Sequence, residues 1–357
     1  MKPVGKICLL LCILVLLLHI PVFLHIIPEK KPIWSCDGES NTIVMAVRPN
    51  TNDLYLYRSE AVGFHLELIQ AYAYTNQQSY QIHWESDENK RWQELSDGKI
   101  TIMVCNPDDS TLCHLRQQRK VFYSTPLEDY TNTVWVVNKK NKHLLADINE
   151  WISYYRTTPE YDIKWQKHFV LRNPEQIKPQ TELSPYDKLI KLYSKQIPWD
   201  WRLLASMIYQ ESRFQPNVES YRRALGLMQI TPTTAETLLL HDIEAPEENI
   251  KAGVKIISFL QKQICCDTAS FYDNTCFILA AYNAGLGRIS QCRYFAEVMD
   301  KNPYKWEEVA SVIPLMKHPV YYEYDDNFNC FKGAETLNYV DKIMKRFELY
   351  KLLLPEE

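Results

Sequence analysis

Between residues 42 and 155 the apolar positions follow two alternating rhythms. "TIVMAVR", "YQIHW", "KITIMVC" and "NTVWVVN" are short apolar runs bounded by polar or turn-forming residues, and they read as strands. Between them "GFHLELIQAYAYT" and "KRWQELSDG" carry the helical period. Phe64, Leu68, Ala71 and Tyr72 share one helical face, and after "NTVWVVN" Leu144, Ile148, Trp151 and Tyr155 align on another. Core packing accounts for these stripes, and the alternation predicts an α/β unit. Residues 172–184, rich in Pro, Lys and Gln, break the rhythm and read as a linker. From 185 onward helical spacing dominates, with turns at "QPN", "NAG" and "KNP", so the second unit is expected to be all-α.

Before all of this lies an apolar run, residues 7–27, preceded by Lys2 and Lys6 and followed by "PEKKP". Its length suits a membrane span of about 20 residues better than a cleavable signal core of about 7 to 15. Residues 1–28 are therefore expected to be an export signal retained as an anchor, with a cleaved peptide as the alternative. Cys36, in "IWSC", hints at a lipidation site, although a charged, proline-bounded spacer separates it from the apolar run.

Length and charge narrow the class. The chain has 357 residues, 46% hydrophobic and 24% charged, with a net charge of -4, which leaves room for two cores and gives no reason to expect a nucleic-acid partner. Of the 10 cysteines, Cys8 and Cys12 fall in the apolar run. The remainder are even in number in an exported segment, so some disulfides are expected, Cys105 with Cys113 being one that would close a short loop. No pair has the spacing of a zinc or redox site, and no metal or organic cofactor is expected.

One carboxylate breaks the helical pattern. In "IPWDWRLLASMIYQES", Leu204, Ile208 and Glu211 fall at i, i+4 and i+7, which puts the acid on the face that carries the core aliphatics. Desolvation there would raise its pKa and suit it to donate a proton near neutral pH. A salt bridge to Arg213 explains the same placement, and periodicity does not choose between them.

The surrounding motifs do. "ES-x-F-x-P", "GLMQI-x-P-x-TA", "NIKAGVKII" and "AAYNAG" occur in that order. Together they resemble the catalytic domain of the soluble lytic transglycosylases, which shares the fold of goose-type lysozyme. The tail, "VIPLMKHPVYY" and "FKGAETLNYVDKIM", resembles that of membrane-bound lytic transglycosylases. "GFHLELIQAYA", "WQELSDGKITIMV" and "FYSTP" are similar to the solute-binding module that precedes the catalytic domain in such proteins. The resemblance implies an α+β chain of two domains. Residues 40–171 would be a solute-binding-like α/β single lobe and 185–354 an all-α lysozyme-like domain.

It also implies cleavage of the bond between N-acetylmuramic acid and N-acetylglucosamine in peptidoglycan with formation of 1,6-anhydro ends, Glu211 acting first as acid and then as base. Carried over by motif, Ser220, Met228, Gln229, Tyr282 and Asn283 would line the glycan groove, and Tyr339 would stand near Glu211. Gly226 and Gly285 would serve the backbone, and Thr231 with Pro232 would start a helix. A hydrolase of the same fold, with Asp325 or Asp326 as second carboxylate, is the alternative, followed by a silent peptidoglycan-binding protein. The implied partners are glycan strands and, through the N-terminal segment, a membrane of the periplasmic envelope, inner or outer.

Two departures stand out. Arg223 and Ala224 replace the small residues usual before "GLMQ", so the loop after Ser220 is expected to differ, with Arg223 either solvated or facing the groove. "FYSTPLEDYTNTVWVVNKKNKHLLADINEWISYY" runs almost directly from the crossing strand to the returning helix, so the second lobe of the solute-binding module is expected to be missing. Arg116 and Arg119 only approximate the position of the arginine that grips an amino-acid carboxylate, and the front domain is expected to act as a spacer, docking or regulatory element.

Overall fold

The alternating strands and helices of the front half pack around one mixed sheet. The computed structural model describes residues 42–355 except 84, 86, 173, 175, 176, 178–180, 238, 240–242, 319–330 and 332. The expected anchor, Cys36, Cys330, Asp325 and Asp326 lie outside the described residues. No helix among the described residues is long and apolar enough to cross a membrane.

The front half runs β1 (Thr42–Ala46), β2 (Tyr55–Tyr57), β3 (Glu60–Val62), α1 (Phe64–Thr75), β4 (Ser79–His83), α2 (Glu88–Asp97), β5 (Ile102–Cys105), α3 (Ser110–Gln117), β6 (Val121–Tyr123), β7 (Val134–Asn138), α4 (Leu144–Tyr155) and α5 (Pro159–Trp165). The sheet order is β4-β1-β5-β7-β6. β1 lies parallel to β4 and β5, while β7 is antiparallel to β5 and β6. Every residue of β7 is buried, because helices cover both faces. Trp135 and Val137 pack with α1 and α4, and Val134 and Val136 pack with Trp92, Leu95 and Leu112. Side chains start three of the helices: Asp87 caps α2, Asp109 caps α3, and Thr158 caps α5 ahead of Pro159.

The link from β6 to β7 occupies only residues 124–133, and Glu128 organises it. This wholly buried carboxylate accepts hydrogen bonds from the backbone N–H groups of Tyr130, Thr131 and Thr133 and from the hydroxyls of Thr131 and Thr133. Those bonds hold its pKa below the usual carboxylate range despite burial. Between β6 and β7 the chain thus turns back on one charge. Arg116 and Arg119 are both exposed, and Arg116 lies over the Tyr123 ring at 4.6 Å.

Sequence patterning did not predict the hairpin of β2 and β3. Its turn uses Arg58 and Ser59, both left-handed with φ of 50° and 64°, a conformation usually signalled by Gly or Asn. Contacts with the second half offset the strain: Ser59 Oγ donates to the Leu183 carbonyl, and Tyr350 Oη donates to the Ser59 carbonyl at 2.5 Å.

The second half contains α6 (Asp187–Ser194), α7 (Trp201–Ser212), α8 (Pro232–Thr237), α9 (Pro246–Ile264), α10 (Phe271–Ala284), α11 (Leu286–Val298), α12 (Trp306–Val312) and α13 (Ala334–Leu353). Helix α7 is the central post: Leu203, Leu204, Ala205, Met207 and Ile208 are all inaccessible to solvent. Asp200 caps its start, and Arg202 reaches from its first turn to the Leu354 carbonyl at the far end of α13.

The expected disulfides are not found among the described residues. Cys105, Cys113, Cys265, Cys266, Cys276 and Cys292 are free thiols. Cys105 faces the core beneath α3, whereas Cys113 on α3 is exposed with its sulfur 3.7 Å from the Pro107 carbonyl, so the two point to different environments.

Candidate active site

Glu211 sits in the last turn of α7 on the face that carries Leu204 and Ile208, as the spacing predicts. The helix ends immediately after it, with Arg213 and Phe214 both left-handed at φ of 52° and 60°. Burial pushes its carboxyl up to about 7, and a hydrogen bond from Tyr339 pulls the other way. The negative end of the α7 dipole also disfavours a carboxylate there. No charged side chain among the described residues contributes to the shift, Arg213 included.

Tyr339 projects from α13, is itself buried, and donates its hydroxyl to Glu211 Oε1 at 2.5 Å. Burial and the neighbouring Glu211 hold its phenol well above the ordinary tyrosine value, so it remains a donor. With Oε1 accepting, the acidic proton of Glu211 belongs on Oε2. Arg346, further along α13, fixes the helix pair beside this contact by donating to Gln210 Oε1 at 3.2 Å and lying 4.5 Å over the Tyr209 ring.

The "GLMQI" loop folds against the end of α7. Ser212 Oγ donates to the Leu227 carbonyl at 2.8 Å. Asn249, buried on α9, accepts from Met228 N at 2.8 Å through Oδ1 and donates through Nδ2 to the Leu225 and Ile243 carbonyls. Gly226 is required there: its φ is +75°, and a Cβ would lie 2.4 Å from Asn249 Nδ2. Gly226→Ala is therefore expected to cost about 3 kcal/mol, from left-handed strain and overpacking combined. Urea denaturation checks the value, and an unchanged midpoint would contradict the assignment. Gly285, at φ +95°, closes α10 by donating its N–H to the Ala281 carbonyl. Thr231 and Pro232 start α8 as expected, Thr231 Oγ1 accepting from Thr234 N.

The other expected groove residues divide by what they expose. Met228 is wholly buried with its thioether against Gly253, so its side chain packs the core and does not line the groove as expected. Tyr282 is half-buried and donates its hydroxyl to the Met228 carbonyl at 2.8 Å, bracing the loop. Ser220 Oγ accepts from Ala224 N at 3.0 Å and shapes the following turn. Gln229, left-handed at φ 48°, and Asn283 are half-buried. Arg223 takes φ 60°, pairs with Glu219 at 3.7 Å and is largely exposed, so the departure in this loop places a solvated arginine there.

Sequence reasoning passed over Ser212, Asn249 and Thr336 as individual residues, although each lies inside a quoted motif. Their role is to hold backbone or neighbouring amides, and that role carries no periodic signal.

Residues 188–306 match the family described as "Transglycosylase SLT domain". The membrane-bound lytic murein transglycosylase F of Desulfosudis oleivorans is 26% identical over 76% of this chain and 61% of its own length. The protein of the same name from Pseudomonas putida (strain W619) is 34% identical over 48% of this chain and 35% of its own. The chain thus spans about three-fifths of the first relative and a third of the second. Among solved structures, an inactive mutant of the lytic transglycosylase Slt from Pseudomonas aeruginosa aligns with a TM-score of 0.36 at 18% identity, covering 59% of this chain and 33% of that one. Tyr339 lies on α13, beyond the matched segment, so the pair at the centre of the site joins two parts of the chain. Residues 188–306, which supply Glu211, Gln229 and Asn283, are thus similar to a transglycosylase SLT domain.

Proposed function

We propose that the protein is a murein lytic transglycosylase with Glu211 as its single acid and base. The observation that carries this reading is the environment of Glu211: a desolvated carboxyl raised to about 7, one oxygen held by a permanently protonated tyrosine. Such a group holds a proton at neutral pH and can still release it.

In the first step Oε2 of Glu211 protonates the glycosidic oxygen as the bond to C1 of N-acetylmuramic acid breaks and positive charge develops on the sugar. The Tyr339 hydrogen bond becomes charge-assisted as the carboxylate forms, which stabilises it when it is needed. In the second step the carboxylate takes the proton of the muramic C6 hydroxyl, whose oxygen bonds to C1. The proton given to the leaving sugar is thereby replaced and no water is consumed. Residues 40–171 are proposed as a separate front domain with a docking or regulatory role, and residues 1–28 as an anchor in the periplasmic envelope. The name of the similar relatives, membrane-bound, supports that placement.

Digestion of purified peptidoglycan with the purified chain, followed by mass spectrometry, tests the reading. Muropeptides with 1,6-anhydro ends are expected; products with only reducing ends would replace it with hydrolysis, and no products would overturn it.

A further inference from the structure

Gln229 and Asn283 each carry an amide, which can present a donor or an acceptor depending on how it is turned. In this protein two carbonyl acceptors fix the turn of Gln229, and Asn283 is set with its carbonyl toward a hydroxyl. Gln229 Nε2 donates to the Val218 and Gly226 carbonyls at 2.9 and 3.0 Å. Asn283 Oδ1 accepts from Thr336 Oγ1 at 2.7 Å. Among the described residues no hydrogen bond occupies Gln229 Oε1 or Asn283 Nδ2. The two open ends are therefore one acceptor and one donor. Gln229 and Asn283 are the chain neighbours of Met228 and Tyr282, which are joined by the hydrogen bond from Tyr282 to the Met228 carbonyl.

An N-acetyl group presents one N–H and one C=O, the complement of this pair. Thr336 is buried on α13 one turn before Tyr339, and its hydroxyl donates to the Asn283 carbonyl, which leaves the Nδ2 donor on the other side of the amide. We infer that Thr336 is a positioning residue for substrate recognition, setting Asn283 to donate to the acetamido carbonyl of the glycan. This inference rests on the transglycosylase reading above. It adds a division of labour on α13, with Tyr339 serving the proton transfer and Thr336 the recognition.

The test uses the full chain and three variants. Thr336→Val preserves shape and removes the hydroxyl; it is expected to raise KM for peptidoglycan about tenfold, the usual loss for one oriented hydrogen bond, with kcat and the pH profile little changed. Thr336→Ser keeps the hydroxyl and should restore KM to within about twofold. Asn283→Ala should raise KM, and adding Thr336→Val to it should cause no further rise, because both changes remove the same contact. Dissociation constants of N-acetylglucosamine tetramer for each protein supply a readout independent of turnover. Unchanged KM in Thr336→Val, failed rescue by Ser, or additive effects with Asn283→Ala would overturn the inference alone. A wild-type chain that neither cleaves peptidoglycan nor binds the tetramer would overturn the transglycosylase reading with it.

Discussion

Glu211→Gln is expected to slow release of anhydro-muropeptides about 10³-fold while leaving glycan binding within a few fold, since general acid–base groups contribute typically about 10² to 10⁴ in rate. The amide keeps the size of the side chain and its acceptor for Tyr339 but carries no transferable proton. The same variant should be more stable than the wild type at alkaline pH. The Glu211 carboxyl is raised from 4.5 to about 7 in the folded protein. Its favourable contribution to folding is therefore complete below about pH 4.5 and is lost as pH rises through about 7. Gln resembles the protonated acid at every pH, so the two proteins should melt together near pH 4 and diverge by pH 8. The gap there is expected to be on the order of 2 to 3 kcal/mol in favour of Gln. Thermal melts at the two pH values measure it. Retained turnover, or a wild type more stable than Glu211→Gln at pH 8, would remove Glu211 from the centre of the reaction.

Tyr339→Phe is expected to act in the opposite sense on pH and in the same sense on rate. The phenol donates to Glu211 Oε1 at 2.5 Å and lowers the carboxyl against the effect of burial. Without it the carboxyl rises further, so the fall in kcat/KM that sets in above about pH 7 should move to higher pH. The variant holds its proton more tightly and leaves a carboxylate with one fewer donor when the proton is transferred. A hydrogen bond to a charged group is worth about 1.5 to 3 kcal/mol, which predicts a rate at the optimum lower by about 10- to 100-fold. A full pH–rate profile decides it, because purely structural damage would lower the curve without moving its alkaline limb.

Much of this arrangement was legible in the sequence. The strands at "TIVMA" and "VWVVN" and the aligned faces of α1 and α4 follow from apolar period, because burial in a sheet or helix is what that period records. Glu211 was legible as an acid on an apolar face, and Tyr339 as its neighbour only through resemblance, since no local pattern brings together residues so distant in sequence. Met228 was misread because a methionine next to Gln229 has the same type and spacing whether it faces the groove or Gly253. Ser212, Asn249 and Thr336 act through side-chain hydrogen bonds to neighbouring backbone or amide groups, which leave no trace in hydropathy. The hairpin of β2 and β3 was hidden because Arg58 and Ser59 occupy a turn that glycine or asparagine usually marks.

That hairpin also bears on how the protein comes apart. Tyr350, inaccessible to solvent on α13, has its hydroxyl satisfied by the Ser59 carbonyl, while Thr336 and Tyr339 lie near the other end of the same helix. Separating the halves would break that hydrogen bond and release two strained turn residues from the contacts that offset them. The boundary drawn by hydropathy is therefore bridged: Ser59 is tied to Leu183 and to Tyr350, and Tyr350 lies on the same helix as the residues that orient the acid.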